Sequence, residues 1–102
     1  MITRLWRGWT SRANAGAYEQ FLLMELFPSM RGIPGFRSAE VLRRDDGTEV
    51  AFVTLTRFDS LDAIRAFAGE DCETAVIEPP ARALLSHCDD RAQHFASSSF
   101  LS

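Results

Sequence analysis

Lysine is absent. All eleven basic residues are arginine, set against fourteen Asp and Glu, so the 102-residue chain carries a formal net charge of -3. That balance excludes a nucleic-acid partner, which demands a basic stripe. Cysteine is scarce: Cys72 and Cys88 are too few for a disulfide framework and are expected as free thiols, a single Cys72–Cys88 bridge being the alternative. Long apolar runs are also missing. The most apolar stretch, Phe21 to Phe27, is interrupted by Glu25 and falls far short of the roughly 20 residues a membrane span needs. The start, Met1 to Arg7, has none of the charged start, apolar run and small-residue cleavage site of an export signal, and a cytoplasmic location is expected. Internal repeats and long linkers are lacking as well.

What is present suits a globular chain. Hydrophobic residues make up 46% and charged residues 25%, and eight Phe, two Trp and one Tyr supply the bulk for a core. A chain of this length holds one core, so a single domain is expected over residues 1–96, with 97–102 a fraying tail.

Residues 2–10 read as a strand with Ile2, Arg4 and Trp6 on one face and Leu5, Arg7 and Trp9 on the other. A helix is predicted from about Asn14 to Met30, capped by Ser11 or Asn14, with Tyr18, Phe21, Leu22, Glu25 and Leu26 at helical spacing. Pro28 should bend or end it. Gly32-Ile33-Pro34-Gly35 is a break, and residues 36–44 and 49–58 form a hairpin around Asp45-Asp46-Gly47-Thr48. Arg43, Arg44, Asp45 and Asp46 are expected as a solvated tip. On the second hairpin strand Val50, Phe52 and Phe58 share one face, and Ala51, Val53 and Leu55 share the other. Asp59-Ser60 caps a helix from Leu61 to Ala68 whose stripe is Leu61, Ile64, Phe67 and Ala68, closed by Gly69. A short helix from Ala81 to Ser86, opened by Pro80 and with Leu84 and Leu85 inward, precedes a final strand over 88–96.

The order β-α-β-β-α-β favours an α+β, ferredoxin-like fold: a four-stranded antiparallel sheet with both helices on one face and the first and third strands central. Those two strands are apolar on both faces. A second copy is the simplest cover for the face without helices, so a homodimer is predicted.

Several segments carry a family resemblance: Trp6-Arg7-Gly8-Trp9, Gly32-Ile33-Pro34-Gly35-Phe36, Glu49-Val50-Ala51-Phe52-Val53-Thr54, Phe58 through Asp71, Ala75-Val76 and Pro80. Together, over residues 2 to 95, they resemble the antibiotic biosynthesis monooxygenase superfamily of dimeric α/β-barrel proteins. The resemblance implies ferredoxin-like subunits whose sheets pair into a barrel. Among the activities it implies are metal- and flavin-free oxidation of aromatic polyketides and haem degradation. Haem-degrading members use an Asn on the first strand with a Trp and a His in and after the second helix. Here the only Asn is Asn14, Phe67 replaces the Trp, and no His lies between Phe67 and Pro80, so haem degradation is rejected. The polyketide-oxidising members rely on Trp, Tyr, Asn and Arg groups, and no motif in this chain assigns those roles.

The candidate chemistry follows from residue type. Trp6 and Trp9 with Arg4 and Arg7 can wall an aromatic pocket in which an arginine stabilises a phenolate or enolate; the plainer reading makes the tryptophans core or interface anchors. Phe21, Phe52 and Phe67 would complete the walls. Tyr18 can donate to a substrate carbonyl, or simply sit at the core rim. His94, on the strand face opposite Phe95 and beside the first strand, is a candidate base, or an ordinary hydrogen-bonded histidine. His87 sits at a predicted helix C-terminus, where the dipole favours it. His87-Cys88-Asp89-Asp90 with Cys72 matches no metal-ligand spacing, Ser86-His87-Asp89 lacks the geometry of a triad, and no phosphate-cradling glycine loop occurs. No metal or cofactor is expected. Two functions follow: cofactor-independent oxidation of a phenolic or quinol-like molecule, or a non-catalytic small-ligand-binding or structural dimer. An aromatic-lined cavity of a few hundred Å³ would favour the first, and a packed interior the second.

Overall fold

The computed structural model describes residues 1–99 and 101. Strand β1, Ile2–Ser11, runs into helix α1, Arg12–Phe21. The Ser11 hydroxyl, not Asn14, caps that helix by accepting the Asn14 N–H at 3.2 Å. A π-helical turn, Leu22–Leu26, follows without a break and leads into a single α turn, α2, Phe27–Met30. Pro28 explains the widened ladder. It has no N–H for the Met24 carbonyl, and its ring would strike it; the turn before it is already loosened, with Phe27 N–H bonded to Leu22 O five residues back. Pro28 thus does not end the segment, which runs on to Met30.

Strands β2, Phe36–Asp46, and β3, Glu49–Phe58, form the expected hairpin, longer than predicted and closed by two residues, with Gly47 at φ 70. The tip is exposed, although Arg43 also meets Glu19 at 2.9 Å and lies over the Phe52 ring. Ser60 caps α3, Leu61–Ala68, through the Ala63 N–H at 3.2 Å, and Gly69 closes it at φ 93. Leu61 departs from its predicted stripe: it is exposed at the first turn, while Ala63 and Ile64 take the inward positions.

The last third corrects the sequence reading twice. The helix α4 is Pro79–Leu84, ending before Leu85, which already belongs to β4, Leu85–Cys88. The single predicted strand over 88–96 is instead β4 and a separate β5, Gln93–Ala96. The break between them has a physical cause: Asp89 stays on β1, its N–H donating to Arg7 O at 3.0 Å, whereas Asp90 and Ala92 turn their backbone toward segment 69–78. Asp89 O accepts the Trp6 indole N–H at 2.8 Å, Asp90 O accepts from Ala75 N at 3.1 Å, and Ala92 N donates to Glu73 O at 2.7 Å. His87 is therefore on a strand, not at a helix end.

All pairings are antiparallel in the order β2-β3-β1, with β4 and β5 sharing the outer side of β1. The first and third strands are central, as expected. One sheet face bears Val50, Phe52 and Phe58 and is covered by Tyr18, Phe21, Leu22, Met30 and Ile64. The other face has no helix against it, and Leu42 and Phe95 on it are 45% and 52% exposed. Of the predicted tail, Ser97 is tied to Met1 O at 3.0 Å, while Phe100 and Ser102 lie outside the described residues. No helix among the described residues is long and apolar enough to cross a membrane.

Gly35 joins the helical segment to the sheet at φ 89, where an added Cβ would come within 2.9 Å of the Ala63 Cβ. We expect Gly35→Ala to destabilise the fold by about 2 kcal/mol, through left-handed strain and displacement of α3. Gly47→Ala, also at positive φ but facing open space, should lose about 1 kcal/mol. Urea unfolding of both variants checks the order.

Candidate functional site

The cavity under the helical segment is floored by a block of sheet residues. Arg4 and Trp6 on β1 face inward beside their cross-strand partners Thr56 and Thr54 on β3. Tyr18, Phe21 and Leu22 roof it, and Leu26, Phe27 and Met30 continue the roof. The π-turn makes this possible, since Leu22 and Phe27, five residues apart, both reach the same cavity. Phe67, Val76 and Ala81 wall the side, with exposed Glu78 at the mouth. The cavity volume is about 40 Å³, room for about three water molecules.

Arg4 is 4% exposed and lines this cavity. Its Nη1 donates to Cys72 O and lies 2.9 Å from His94 Nε2, and its Nη2 donates to Thr74 O at 2.8 Å. The guanidinium also sits over the Phe67 ring, 5.7 Å from its centroid. No carboxylate lies within ion-pair distance of it among the described residues. Burial pushes its pKa down, and Cys72 and Glu73 act through space in the opposite direction; a guanidinium remains charged regardless. Three of its five N–H groups are used by these contacts.

Tyr18, 1% exposed, packs edge-on against Phe52 with ring centroids 5.0 Å apart. Burial, with Cys88 a smaller contributor, pushes its hydroxyl pKa well up, so it is a donor and not a base at neutral pH. Trp6 offers only its ring, because its N–H is spent on Asp89 O. His94 is half-buried opposite Arg4 in the β1–β5 ladder. Burial lowers its pKa, with the Arg4 charge a further cause. Its other nitrogen, Nδ1, is 3.9 Å from Cys72 Sγ.

Five of the sequence-predicted residues, Arg4, Trp6, Tyr18, Phe21 and Phe67, converge on the cavity, and His94 reaches it through Arg4. Three do not. Arg7 and Trp9 are on the opposite sheet face by strand alternation, where Arg7 pairs with Asp89 at 2.8 Å and Trp9 stacks on His87 with centroids 4.5 Å apart. Phe52 lies beneath Tyr18 rather than at the cavity surface. Thr54, Thr56, Val76 and Glu78 went unassigned from sequence. The two threonines share the alternating face of Val50, Phe52 and Phe58, so their inward position was legible; Val76 and Glu78 come from an irregular segment. Both cysteines are free, and among the described residues no His, Cys, Asp and Glu gather into a metal-binding group.

This fold is that of the antibiotic biosynthesis monooxygenases. Particular solved structures with it include a monooxygenase from ActVA-Orf6 of Streptomyces coelicolor in complex with nanaomycin D. It is similar at TM-score 0.69 and 18% identity over 99% of this chain and 90% of that one. SnoaB from Streptomyces nogalater, a cofactor-independent oxygenase, is similar at TM-score 0.63 and 20% identity, over 98% and 95% of the two chains. The haem-degrader MhuD of Mycobacterium tuberculosis, with two haems in its active site, is similar at TM-score 0.64 and 17% identity over both full lengths. No family model and no curated protein matches the sequence.

Burial and the Arg4 charge hold the folded His94 below the ordinary histidine value of about 6.5, near which the unfolded chain protonates. As pH falls through that value the unfolded state takes up the proton first, so stability drops until the lower folded pKa is passed. Urea midpoints should therefore fall as the pH is lowered through about 6.5. His94→Gln should flatten part of that slope.

Proposed function

We propose that the cavity holds a phenolic or quinol-like molecule as its anion and promotes its oxidation by O2 without a bound cofactor. One observation carries this reading: a buried arginine with no carboxylate against it, with N–H groups to spare, on the floor of an apolar cavity. A cation so placed strengthens the ionised form of a bound phenol or enol, since its charge acts through a poorly screened medium. Tyr18, kept protonated by burial, donates to a neighbouring substrate carbonyl. Trp6, Phe21 and Phe67 give the ring apolar walls. His94 has its Nε2 lone pair engaged by Arg4, so Glu78 at the mouth is the group to take the substrate proton. The ionised carbon then gives electrons to O2, and the resulting hydroperoxide loses water to leave a ketone or quinone. For an anthrone-type substrate one O2 and one CH2 group become one carbonyl and one water; a hydroquinone instead passes two electrons and two protons to O2, giving the quinone and H2O2. The fold shared with SnoaB, an oxygenase described as cofactor-independent, supports the reading.

The small cavity favours a second reading, a non-catalytic dimer that binds a small ligand or none. Oxygen uptake with a panel of anthrones and hydroquinones separates the two. The oxygenase reading predicts uptake by the wild type, a loss of about 100-fold in Arg4→Met and about tenfold in Tyr18→Phe. No uptake above background on any member selects the second reading.

In both readings the chain is a homodimer acting in the cytoplasm, where its free thiols are at home. Leu5, Trp9, Leu42, Val53, Leu55 and Phe95 share the sheet face without helices, a patch suited to a second copy. Sedimentation equilibrium should give twice the 11.4 kDa chain mass, and Leu55→Glu, central in the patch, should shift it to the monomer. An 11.4 kDa particle at micromolar wild-type protein would remove the dimer.

A further inference from the structure

An arginine in a cavity with spare donors will turn toward any acceptor within reach, including those lining its own binding site. Here the acceptors lining the cavity are the Tyr18, Thr54 and Thr56 hydroxyls and the Glu78 carboxylate. Arg4 points instead to the side, toward the carbonyls of Cys72 and Thr74 and the ring of His94. Its chemistry fixes what His94 must be. A guanidinium only donates, so the His94 Nε2, 2.9 Å from Arg4 Nη1, must accept through its lone pair. The imidazole is then neutral, with its proton on Nδ1, and Nδ1 faces a weak acceptor, Cys72 Sγ at 3.9 Å. Both Nη1 hydrogens and one on Nη2 are thereby engaged, so the donors left for a ligand are Nε–H and the second Nη2–H.

We propose that His94 is a positioning residue: its unprotonated Nε2 holds the Arg4 guanidinium aside, so that the two remaining N–H groups meet an anionic aromatic ligand. The assignment rests on the anion-binding reading of the cavity and takes it further. His94 is not the base of this site. Cross-strand pairing of Arg4 with His94 sets the distance, and segment 69–78 supplies the other two acceptors. The charged and titratable groups acting on His94 are Arg4 from β1, with Cys72 and Glu73 from that segment. Once His94 takes a second proton, two cations face each other and the contact is lost.

Two measurements test this. Nitrogen NMR of the histidine side chains in wild-type protein near neutral pH should show His94 with a protonated Nδ1 and a bare Nε2; a protonated Nε2 would overturn the proposal without any variant. Calorimetry with 2-naphthoate, an anion throughout, should give similar affinities for wild type and His94→Gln, whose amide oxygen can accept from Arg4. His94→Phe, which keeps the ring and loses the acceptor, should bind about tenfold more weakly. If wild type binds and His94→Phe binds equally well, the positioning role falls while the anion site stands. If wild type binds no 2-naphthoate, the anion site falls and this assignment with it.

Discussion

A guanidinium buried to 4% exposure must find acceptors, and the fold is arranged around supplying them to Arg4. Segment 69–78 delivers two backbone carbonyls, and β5 delivers an imidazole. The same need accounts for the path of the chain after α3. Residues 71–75 lie against 89–92 through the Thr74–Arg91 bridge and the Arg91–Asp71 ion pair, which holds the Asp71 carboxyl below its ordinary range. With residues 90–92 drawn to that segment, the outer strand of the sheet is split into β4 and β5. Satisfying one charge thus shapes one edge of the sheet and one wall of the cavity.

The central strands divide their labour by alternation. Inward positions of β1 and β3 bring Arg4, Trp6, Thr54 and Thr56 together as a floor that is half polar, beneath a roof that is almost wholly apolar. Outward positions carry Leu5, Val53 and Leu55, which have no helix to cover them. One strand therefore serves two surfaces, and the spacing of two residues keeps them apart. The π-turn performs the matching task in the roof, keeping Phe21, Leu26, Phe27 and Met30 over the floor despite Pro28.

Much of this was legible in the sequence. Period-two alternation assigned Arg4 and Trp6 to one face, helical spacing put Tyr18 and Phe21 inward, and the Asp-Gly turn located the hairpin. The same alternation already excluded Arg7 and Trp9 from any pocket with Arg4, since they occupy odd-numbered positions; treating both tryptophans as one aromatic pair overrode it. What could not be read depends on contacts remote in sequence. The split of the last strand comes from backbone hydrogen bonds across the molecule, and the Arg4–His94 contact joins residues 90 apart in sequence. Leu61 fits the apolar spacing of its helix but falls at the first turn, where the chain has not yet reached the core.

The central claim is that a held, uncompensated Arg4 makes the cavity selective for anions. The most direct measurement compares 2-naphthoate with neutral 2-naphthol, of nearly equal shape, by calorimetry on the wild-type protein. A buried charge-assisted contact predicts tighter binding of the carboxylate by about tenfold or more. Equal affinities, or preference for the neutral ligand, would contradict it.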